Sequence, residues 1–246
     1  MPYTVRGIVK LSVIVPAFNE QAWLPHTLRR IQRAIDIAGR EDFELIVVDN
    51  ASTDHTAQVA EENGARVVRE QHRIIARARN RGAAAATGDV LVFIDADTLV
   101  PDPLLVRIRE AAASTGCIGG AVDIEYKPRR RAVAWYLKYD RFLAMLTHLT
   151  RGATQFCWRE VFNALGGYDT RLWMGEDIDF YRRLSKYARK NGRDVLFIDD
   201  IRVETSARLL DRWPVSKMIT RLNPLSFQLD GRKKELWSEW YDHPIR

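Results

Sequence analysis

Short apolar segments alternate with segments of helical spacing over the first hundred residues of this 246-residue chain. The predicted strands are 11–15, 43–49, 66–70 and 90–94, and the predicted helices between them are 24–38, 53–62 and 74–86. Pro16 is predicted to end the first strand, and Gly64 to end the second helix. Strands alternating with helices predict parallel β-α-β units, so we expect an α/β protein with an open, twisted, mostly parallel sheet.

Polar clusters follow three of these predicted strands. PAFNE follows the first strand, DNASTD the second and DADT the fourth. Ligands bind beyond the carboxyl ends of strands in open α/β sheets, so the clusters predict one site at one sheet edge. Asp49 is placed to accept hydrogen bonds from a base or ribose. Alternatively, the loop caps the next helix through Ser52 or Thr53. The two roles are compatible within one loop.

The last cluster carries two carboxylates, Asp95 and Asp97, separated only by Ala96. Side chains two positions apart in an extended chain point the same way, and two like charges so close repel unless a cation or a set of hydrogen-bond donors compensates them. Hard oxygen ligands of this kind suit Mg²⁺ or Mn²⁺. The alternative is that the two acids cap a helix beginning around Pro101.

Charge and composition narrow the partners. The net charge of +6, from 38 basic and 32 acidic residues, favours an anionic partner such as a nucleotide, a phosphate or a membrane surface. It is too diffuse to indicate nucleic acid. Cys117 and Cys157 lack metal-ligand spacing, so we expect both to be buried thiols in a reducing compartment. No apolar run approaches the ~20 residues of a membrane span, and the Pro-interrupted amino terminus is not typical of a signal peptide. We expect a cytoplasmic protein, with peripheral membrane contact as an open alternative.

The second half of the chain is less regular. The predicted strands are 117–126 and 152–158, and the predicted helices are 159–167 and 175–192. Between them, the segment 127–150 begins with the basic KPRRR and continues with apolar residues at helical spacing: Trp135, Tyr139, Phe142, Leu143 and Leu146. We interpret it first as a core-packing helix with a solvated basic start. The alternative is a basic, aromatic surface that docks a lipid-linked acceptor or an anionic leaflet.

Five segments together carry a family resemblance through their order along the chain: SVIVPAFNE, VVDNASTDHT, ARNRGAAAATGDVLVFIDADT, LGGYDTRLWMGEDIDFYRRL and VETSAR. In order and strand context the chain resembles the family-2 glycosyltransferases of GT-A fold from residue 11 to about 208. The resemblance implies one GT-A domain over 1–246, with a nucleotide-sugar-binding half at about 11–124 and an acceptor-side half at about 125–246. It also implies inverting transfer from a nucleotide-diphospho-sugar, with UDP favoured, to an acceptor hydroxyl on a glycan or lipid-linked molecule. Mg²⁺ or Mn²⁺ would be the cofactor, and surface polysaccharide or glycolipid synthesis the setting.

The resemblance also assigns residues to roles. The implied nucleotide-binding residues are Pro16, Ala17, Asn19, Glu20, Asp49, Ser52, Arg73, Asn80, Gly82, Asp95, Ala96 and Asp97. Asp95 and Asp97 form the D-x-D motif, with Asp97 the direct metal ligand, and Asp177 corresponds to the catalytic base. The dipole of its predicted helix would keep Asp177 ionised. The alternative is that Asp177 only stabilises the helix by pairing with its dipole, which would equally explain the acids at Glu176 and Asp179.

The resemblance leaves a further metal ligand unplaced. Glu204, Arg208 and His243 are the late candidates, each more typical of a surface residue, and Arg208 alternatively neutralises a phosphate. Two other functions stay open. FIDADTLV is similar to the opening motif of haloacid-dehalogenase-like phosphohydrolases, although three strand–helix units precede it here. The other is a nucleotide-sugar-binding protein without catalytic activity.

Overall fold

The structure is a computed structural model that describes residues 9–147, 154–222 and 230–237. The strands are β1 Leu11–Ala17, β2 Phe43–Asp49, β3 Arg66–Arg69, β4 Val90–Ile94, β5 Thr98–Leu99, β6 Cys117–Tyr126, β7 Thr154–Trp158 and β8 Asp194–Thr205. The helices are α1 Leu24–Ala38, α2 Thr56–Glu62, α3 Ile75–Ala85, α4 Leu104–Ala113, α5 Arg131–Thr147, α6 Arg159–Ala164, α7 Glu176–Lys190, α8 Arg208–Arg212 and α9 Val215–Arg221.

The central strands are buried on both faces. Val13 and Val92 face a core built with α1, α2 and α4. Their neighbours Ile14 and Leu91 face a second core, built with α3, α6 and α7. A strand covered by helices on both sides needs apolar residues at every position, which explains the continuous apolar runs in the sequence.

The predicted β-α-β arrangement is confirmed, because β1 pairs in parallel with β2 and β4, and β2 with β3. The prediction that Pro16 ends β1 was wrong. The carbonyl of Ala17 accepts a hydrogen bond from Asn50 on the β2 side, so the Pro16 nitrogen faces the β4 side of the strand. Pairing with β4 stops at Ile14, so a proline at 16 interrupts no ladder hydrogen bond there.

The second half completes a mixed sheet of order β3-β2-β1-β4-β7-β6-β8-β5 within the described residues. Strand β7 is antiparallel to β4 and β6, and β8 is parallel to β6. Neither β5 nor β8 was predicted from the sequence. Only residues 95–97 separate β4 from β5 along the chain, yet β5 pairs with β8 at the far end of the strand order. The D-x-D residues therefore link the middle of the curled sheet to one of its edges.

The start of α2 differs from the prediction. The helix begins at Thr56 rather than Thr53, and neither Ser52 nor Thr53 caps it. Instead, the Asp54 carboxylate accepts hydrogen bonds from the backbone N–H and the hydroxyl of Thr56. The residues before Thr56 are therefore left to form the polar loop after β2.

Helix α5 was predicted to pack against the core through Trp135 and Tyr139, and this interpretation was wrong for both residues. Val133 and Tyr136 are buried against α9 and Trp237, whereas Trp135 and Tyr139 are exposed. The helix thus packs against a small third core through Val133 and Tyr136, which were not among the predicted core positions. The side chains of Phe142, Leu143 and Leu146, like residues 152 and 153 of the predicted strand, lie outside the described part of the structure.

Two composition-based predictions have structural counterparts. Cys117 and Cys157 are buried and unpaired, as expected. Within the described ranges, no helix combines the length and apolar character that crossing a bilayer requires.

Candidate active site

The D-x-D motif forms a tight turn between β4 and β5. The Thr98 N–H donates to the Asp95 carbonyl at 3.0 Å, so the expectation of an extended chain here was wrong. The buried hydroxyl of Thr27 on α1 donates to the Ala96 carbonyl at 2.8 Å, which fixes the middle of the turn. The alternative of helix capping is also excluded, because α4 begins only at Leu104.

Asp95 is held by a buried arginine that the sequence analysis did not identify. The Arg79 guanidinium, on α3, donates to Asp95 at 2.8 Å and to the buried carboxylate of Glu176 on α7. It also lies over the Tyr168 ring, 5.3 Å from the centroid. Burial raises the pKa of Asp95 to about 6 and also raises that of Glu176, while the charge of Arg79 lowers both. Arg79 therefore joins the D-x-D turn to the first turn of α7.

Replacing Arg79 by methionine is expected to destabilise the fold by about 3–5 kcal/mol, because Asp95 and Glu176 would then lack their cation. Urea denaturation followed by circular dichroism measures this change. Arg33→Met is the matched control, since Arg33 forms an exposed ion pair with Asp102, of a class worth about 0.2–1 kcal/mol. Equal stability of the two variants would contradict the structural role of Arg79.

A second arginine holds the other acid of the motif. Arg208, at the start of α8, donates to both oxygens of Glu20 at 2.8 and 2.9 Å and to Asp97 at 3.2 Å. Its guanidinium lies 4.9 Å from the centre of the Trp23 ring. Burial raises the pKa of Glu20 to about 7, Arg208 opposes the shift, and the charge of Asp97 adds to it. Burial likewise raises the pKa of Asp97. One cation thus neutralises two crowded carboxylates.

The loops after β1 and β2 interlock. The Asn19 N–H donates to the Ser52 hydroxyl at 3.0 Å, and the Asn19 side-chain oxygen accepts from the Thr53 N–H at 2.8 Å. The buried Asp49 carboxylate accepts from the Ser52 N–H at 3.0 Å. Asn19 and Ala51 both have positive φ, 53° and 60°. A left-handed alanine costs about 1–2 kcal/mol, and such strain concentrates at functional sites.

Asp177 lies in the first turn of α7, next to Glu176. Its backbone carbonyl accepts a hydrogen bond from the Gln155 amide at 3.0 Å, which ties this turn to β7. Glu176 pairs with Arg79, and Asp179 pairs with Arg183 at 2.7 Å. The side chain of Asp177 is half-buried. Its charge is one of the smaller causes of the raised pKa of Asp95, after burial and the charge of Asp97.

Three further predicted residues occupy structural positions. The side-chain amide of Asn80 exchanges two hydrogen bonds with the backbone of Tyr168, at 2.9 Å each. Gly82 lets α3 approach the sheet, because a Cβ there would lie 2.4 Å from the Ile14 side chain. Exposed Arg73 stacks over Phe18, 4.7 Å from its ring centre. Nucleotide contacts by these three residues stay predictions.

A cavity of about 390 Å³ opens beside Asp97. Its walls come from Trp23, from the loop after β6 and from the end of β8 with the start of α8. Its basic side chains are Lys127, Arg129, Arg208 and Arg212. Glu204, a late candidate for metal binding, lines the cavity and pairs with Lys127, whereas His243 lies outside the described residues. Arg208 lines the cavity, and its binding of a phosphate stays a prediction.

The donor chemistry of the D-x-D turn fits a divalent ion that shares its shell with a ligand. Among the described residues, no group of three or more His, Cys, Asp or Glu side chains is arranged to hold a metal alone. Asp95 and Asp97 keep 30% and 26% of their side-chain surfaces exposed, so both remain open to an incoming ion. Mg²⁺ is commonly bound by one or two carboxylates together with substrate phosphates, and this set matches that pattern.

Comparison with known proteins gives the chain its family. The model of the family described as "Glycosyl transferase family 2" matches residues 12–166, more than half of the chain. The chain belongs to glycosyl transferase family 2. The haloacid-dehalogenase-like alternative is thereby overturned. Among curated proteins, the chain is 31% identical over 160 residues to the undecaprenyl-phosphate 4-deoxy-4-formamido-L-arabinose transferase of Enterobacter sp. (strain 638). That alignment covers 60% of this chain and 46% of the relative.

Solved structures establish the fold as GT-A. The structure of a mannosyltransferase from Pyrobaculum calidifontis in complex with GDP-Man and Mn²⁺ aligns with a TM-score of 0.63 at 24% identity. The alignment covers 83% of the present chain and 58% of the mannosyltransferase chain. Glucosyl-3-phosphoglycerate synthase from Mycobacterium tuberculosis, in complex with Mn²⁺, UDP and glucosyl-3-phosphoglycerate, aligns with a TM-score of 0.57 at 24% identity, covering 94% and 80%. The chain spans less than half the length of the curated relatives it matches.

Proposed function

We propose that this protein transfers a sugar, with inversion, from a nucleotide-diphospho-sugar to an acceptor hydroxyl, with UDP as the favoured nucleotide and Mg²⁺ or Mn²⁺ as the cofactor. The observation that carries the proposal is the meeting of the loops after β1, β2 and β4 at one sheet edge, with Asp177 next to Glu176, whose carboxylate shares Arg79 with Asp95. Membership of family 2 supports the reaction class.

The loops after β1 and β2 suit the nucleoside. Asp49 ends β2 with one carboxylate oxygen bonded to the Ser52 N–H, and among the described residues its other oxygen accepts no hydrogen bond. That oxygen is available to a base or ribose donor. The left-handed Asn19 and Ala51 fix both loops before any ligand arrives, so little ordering cost is left for binding.

Asp97, Asp95 and Arg208 suit the diphosphate. The two carboxylates would hold the divalent ion, which when bound stabilises the negative charge of the leaving diphosphate. Arg208 presents a planar guanidinium that binds phosphate oxygens in a bidentate manner. In the structure it bonds to Glu20 and Asp97, and we expect donor binding to redistribute these contacts.

Asp177 suits the acceptor. Inversion requires the acceptor oxygen to attack the anomeric carbon on the face opposite the leaving group. As that C–O bond forms, the bond to the diphosphate oxygen breaks, and the acceptor proton passes to a carboxylate oxygen of Asp177. The partners of Glu176 and Asp179 hold the rest of this helical turn in place.

The acceptor class follows from the relatives only by analogy. The Enterobacter relative is named for undecaprenyl-phosphate, a lipid-linked acceptor. The synthase structure contains glucosyl-3-phosphoglycerate, a small anionic molecule. The cavity beside Asp97 is lined by basic and acidic side chains, and its basic ones would suit a phosphate group on either kind of molecule. We propose a lipid-linked or glycan acceptor in surface polysaccharide or glycolipid synthesis.

A thermal-shift series with UDP, GDP and dTDP, each with Mn²⁺, tests the donor class. A ligand at 100 times its Kd stabilises a protein by about 2.7 kcal/mol, equivalent here to roughly 5–10 °C in Tm. We expect UDP to give the largest shift. Inorganic diphosphate with Mn²⁺ is the control ligand and Asp49→Asn the control variant, which should reduce the shift with UDP but not that with diphosphate. Stabilisation by none of the three nucleotides would contradict the proposal.

A further inference from the structure

Helix α5 presents two aromatic side chains to solvent. Trp135 is 74% exposed and Tyr139 is 52% exposed, and the two lie one helical turn apart. The helix is anchored through other positions, since Val133 is fully buried and the Tyr136 hydroxyl donates to the Leu222 carbonyl at 3.0 Å. The rotation of the helix is therefore fixed, and the outward position of the aromatic pair is a property of the fold.

Basic side chains accompany this pair. Arg131, Trp135, Lys138 and Tyr139 share one helix face by their spacing, and Arg129 precedes the helix. Within the described residues, Arg129, Arg131 and Lys138 are exposed and form no side-chain ion pair. The Lys138 ammonium lies over the Trp135 ring, 5.5 Å from its centre.

Other cations near this helix have partners within the protein, and Arg130 donates to the Asp211 and Trp213 carbonyls. Lys127 pairs with Glu204, and Arg141 pairs with Asp123 at 2.7 Å. The positive charge that remains for a partner is therefore concentrated around the exposed aromatic rings.

We infer that Arg129, Arg131, Trp135, Lys138 and Tyr139, named here the α5 surface, bind an anionic lipid bilayer. Trp and Tyr favour the headgroup level of a bilayer, where their apolar rings are covered while their polar atoms stay hydrated. Exposed Lys and Arg beside them are attracted to anionic headgroups. Trp, Tyr and Arg are common in protein–protein interfaces as well, so the choice of a lipid partner rests on the positive charge beside the two rings, including Lys138 over Trp135.

Docking of the α5 surface to a bilayer would also place the cavity beside Asp97 near the membrane. Lys127 and Arg129 line the cavity beside Asp97, and α5 begins at Arg131. A bilayer in contact with α5 would thus lie near the cavity mouth. Lipid binding does not require the transferase reaction, so this inference stands or fails independently of the proposed function.

Flotation with lipid vesicles tests the inference. We expect the wild-type protein to float with vesicles of phosphatidylcholine and phosphatidylglycerol in equal parts, weakly with phosphatidylcholine alone, and less in high salt. Trp135→Ala and Tyr139→Ala should each weaken binding about tenfold or more, because each removes apolar area from the bilayer interface. Arg131→Gln with Lys138→Gln should remove most of the salt dependence.

Phe197→Ala is the matched control, since it removes an exposed aromatic ring from β8 and should leave flotation unchanged. Because the substituted side chains are exposed, the variants should keep wild-type Tm values. No flotation of the wild type at low salt would overturn the inference. So would aromatic variants that bind as the wild type does, or a wild-type dimer in size exclusion that these variants dissociate without any change in flotation.

Discussion

Asp177→Asn is expected to lower the rate of sugar transfer by about 10²–10⁴, the usual effect of removing a general base. Asparagine keeps the shape of the side chain but cannot accept the acceptor proton. The variant should bind the nucleotide-sugar donor with near wild-type affinity, because Asp177 belongs to α7, whereas the loops that suit the nucleoside follow β1 and β2. Acceptor-dependent transfer is measured beside donor titration for the same preparations.

Asp179→Asn is the matched control for this experiment. Asp179 lies two positions further along α7, about 200° around the helix, and its carboxylate already pairs with Arg183 and Arg182. Its loss should have a much milder effect on transfer. Glu176→Gln is a different case, because it weakens the buried pair with Arg79 and is expected to reduce stability.

Near wild-type transfer by Asp177→Asn, or a parallel loss of donor binding, would show that Asp177 is not a dedicated base. Asp179 would then be the first alternative. If the wild type binds the donor but transfers to no acceptor, a nucleotide-sugar-binding protein without catalytic activity becomes the better interpretation.

The helices and strands of the first half were predictable because burial on both sheet faces leaves a strong apolar signal. The bounds of β2, β4 and α1 agree with the prediction. Strand β8 was missed because its sequence, DVLFIDDIRVET, places acids at Asp199 and Asp200 in a half-exposed strand. Its pairing with β6 and β5 is set by tertiary contacts that no local pattern records.

The acidic side chains of the site were also predictable, since parallel strands bring their carboxyl ends to one edge. Their arginine partners were not, because Arg79 meets Glu176 across 97 positions and Arg208 meets Asp97 across 111. Nothing in the sequence distinguished Arg79 from Arg77 and Arg81, the two other arginines of the same Ala-rich helix. Likewise, helical spacing in α5 could not say which stripe faces the core, and Trp135 proved to be outside it.

Asp97→Asn is expected to remove the effect of Mn²⁺ on nucleotide diphosphate binding. The side chain keeps an oxygen that can accept from Arg208 but loses the charge that attracts a divalent ion. Loss of an outer-sphere partner already lowers metal affinity about 10–100-fold, so loss of this carboxylate should cost at least as much. Asp200→Asn is the control, because Asp200 is an exposed acid on β8 that pairs with Arg107.

Calorimetric titration of UDP into the wild type and Asp97→Asn, with and without Mn²⁺, tests the central claim that the D-x-D turn binds the donor diphosphate through a divalent ion. The predicted result is that Mn²⁺ tightens UDP binding to the wild type and to Asp200→Asn, and leaves the affinity of Asp97→Asn unchanged. Equal UDP affinity with and without Mn²⁺ in every variant would contradict it.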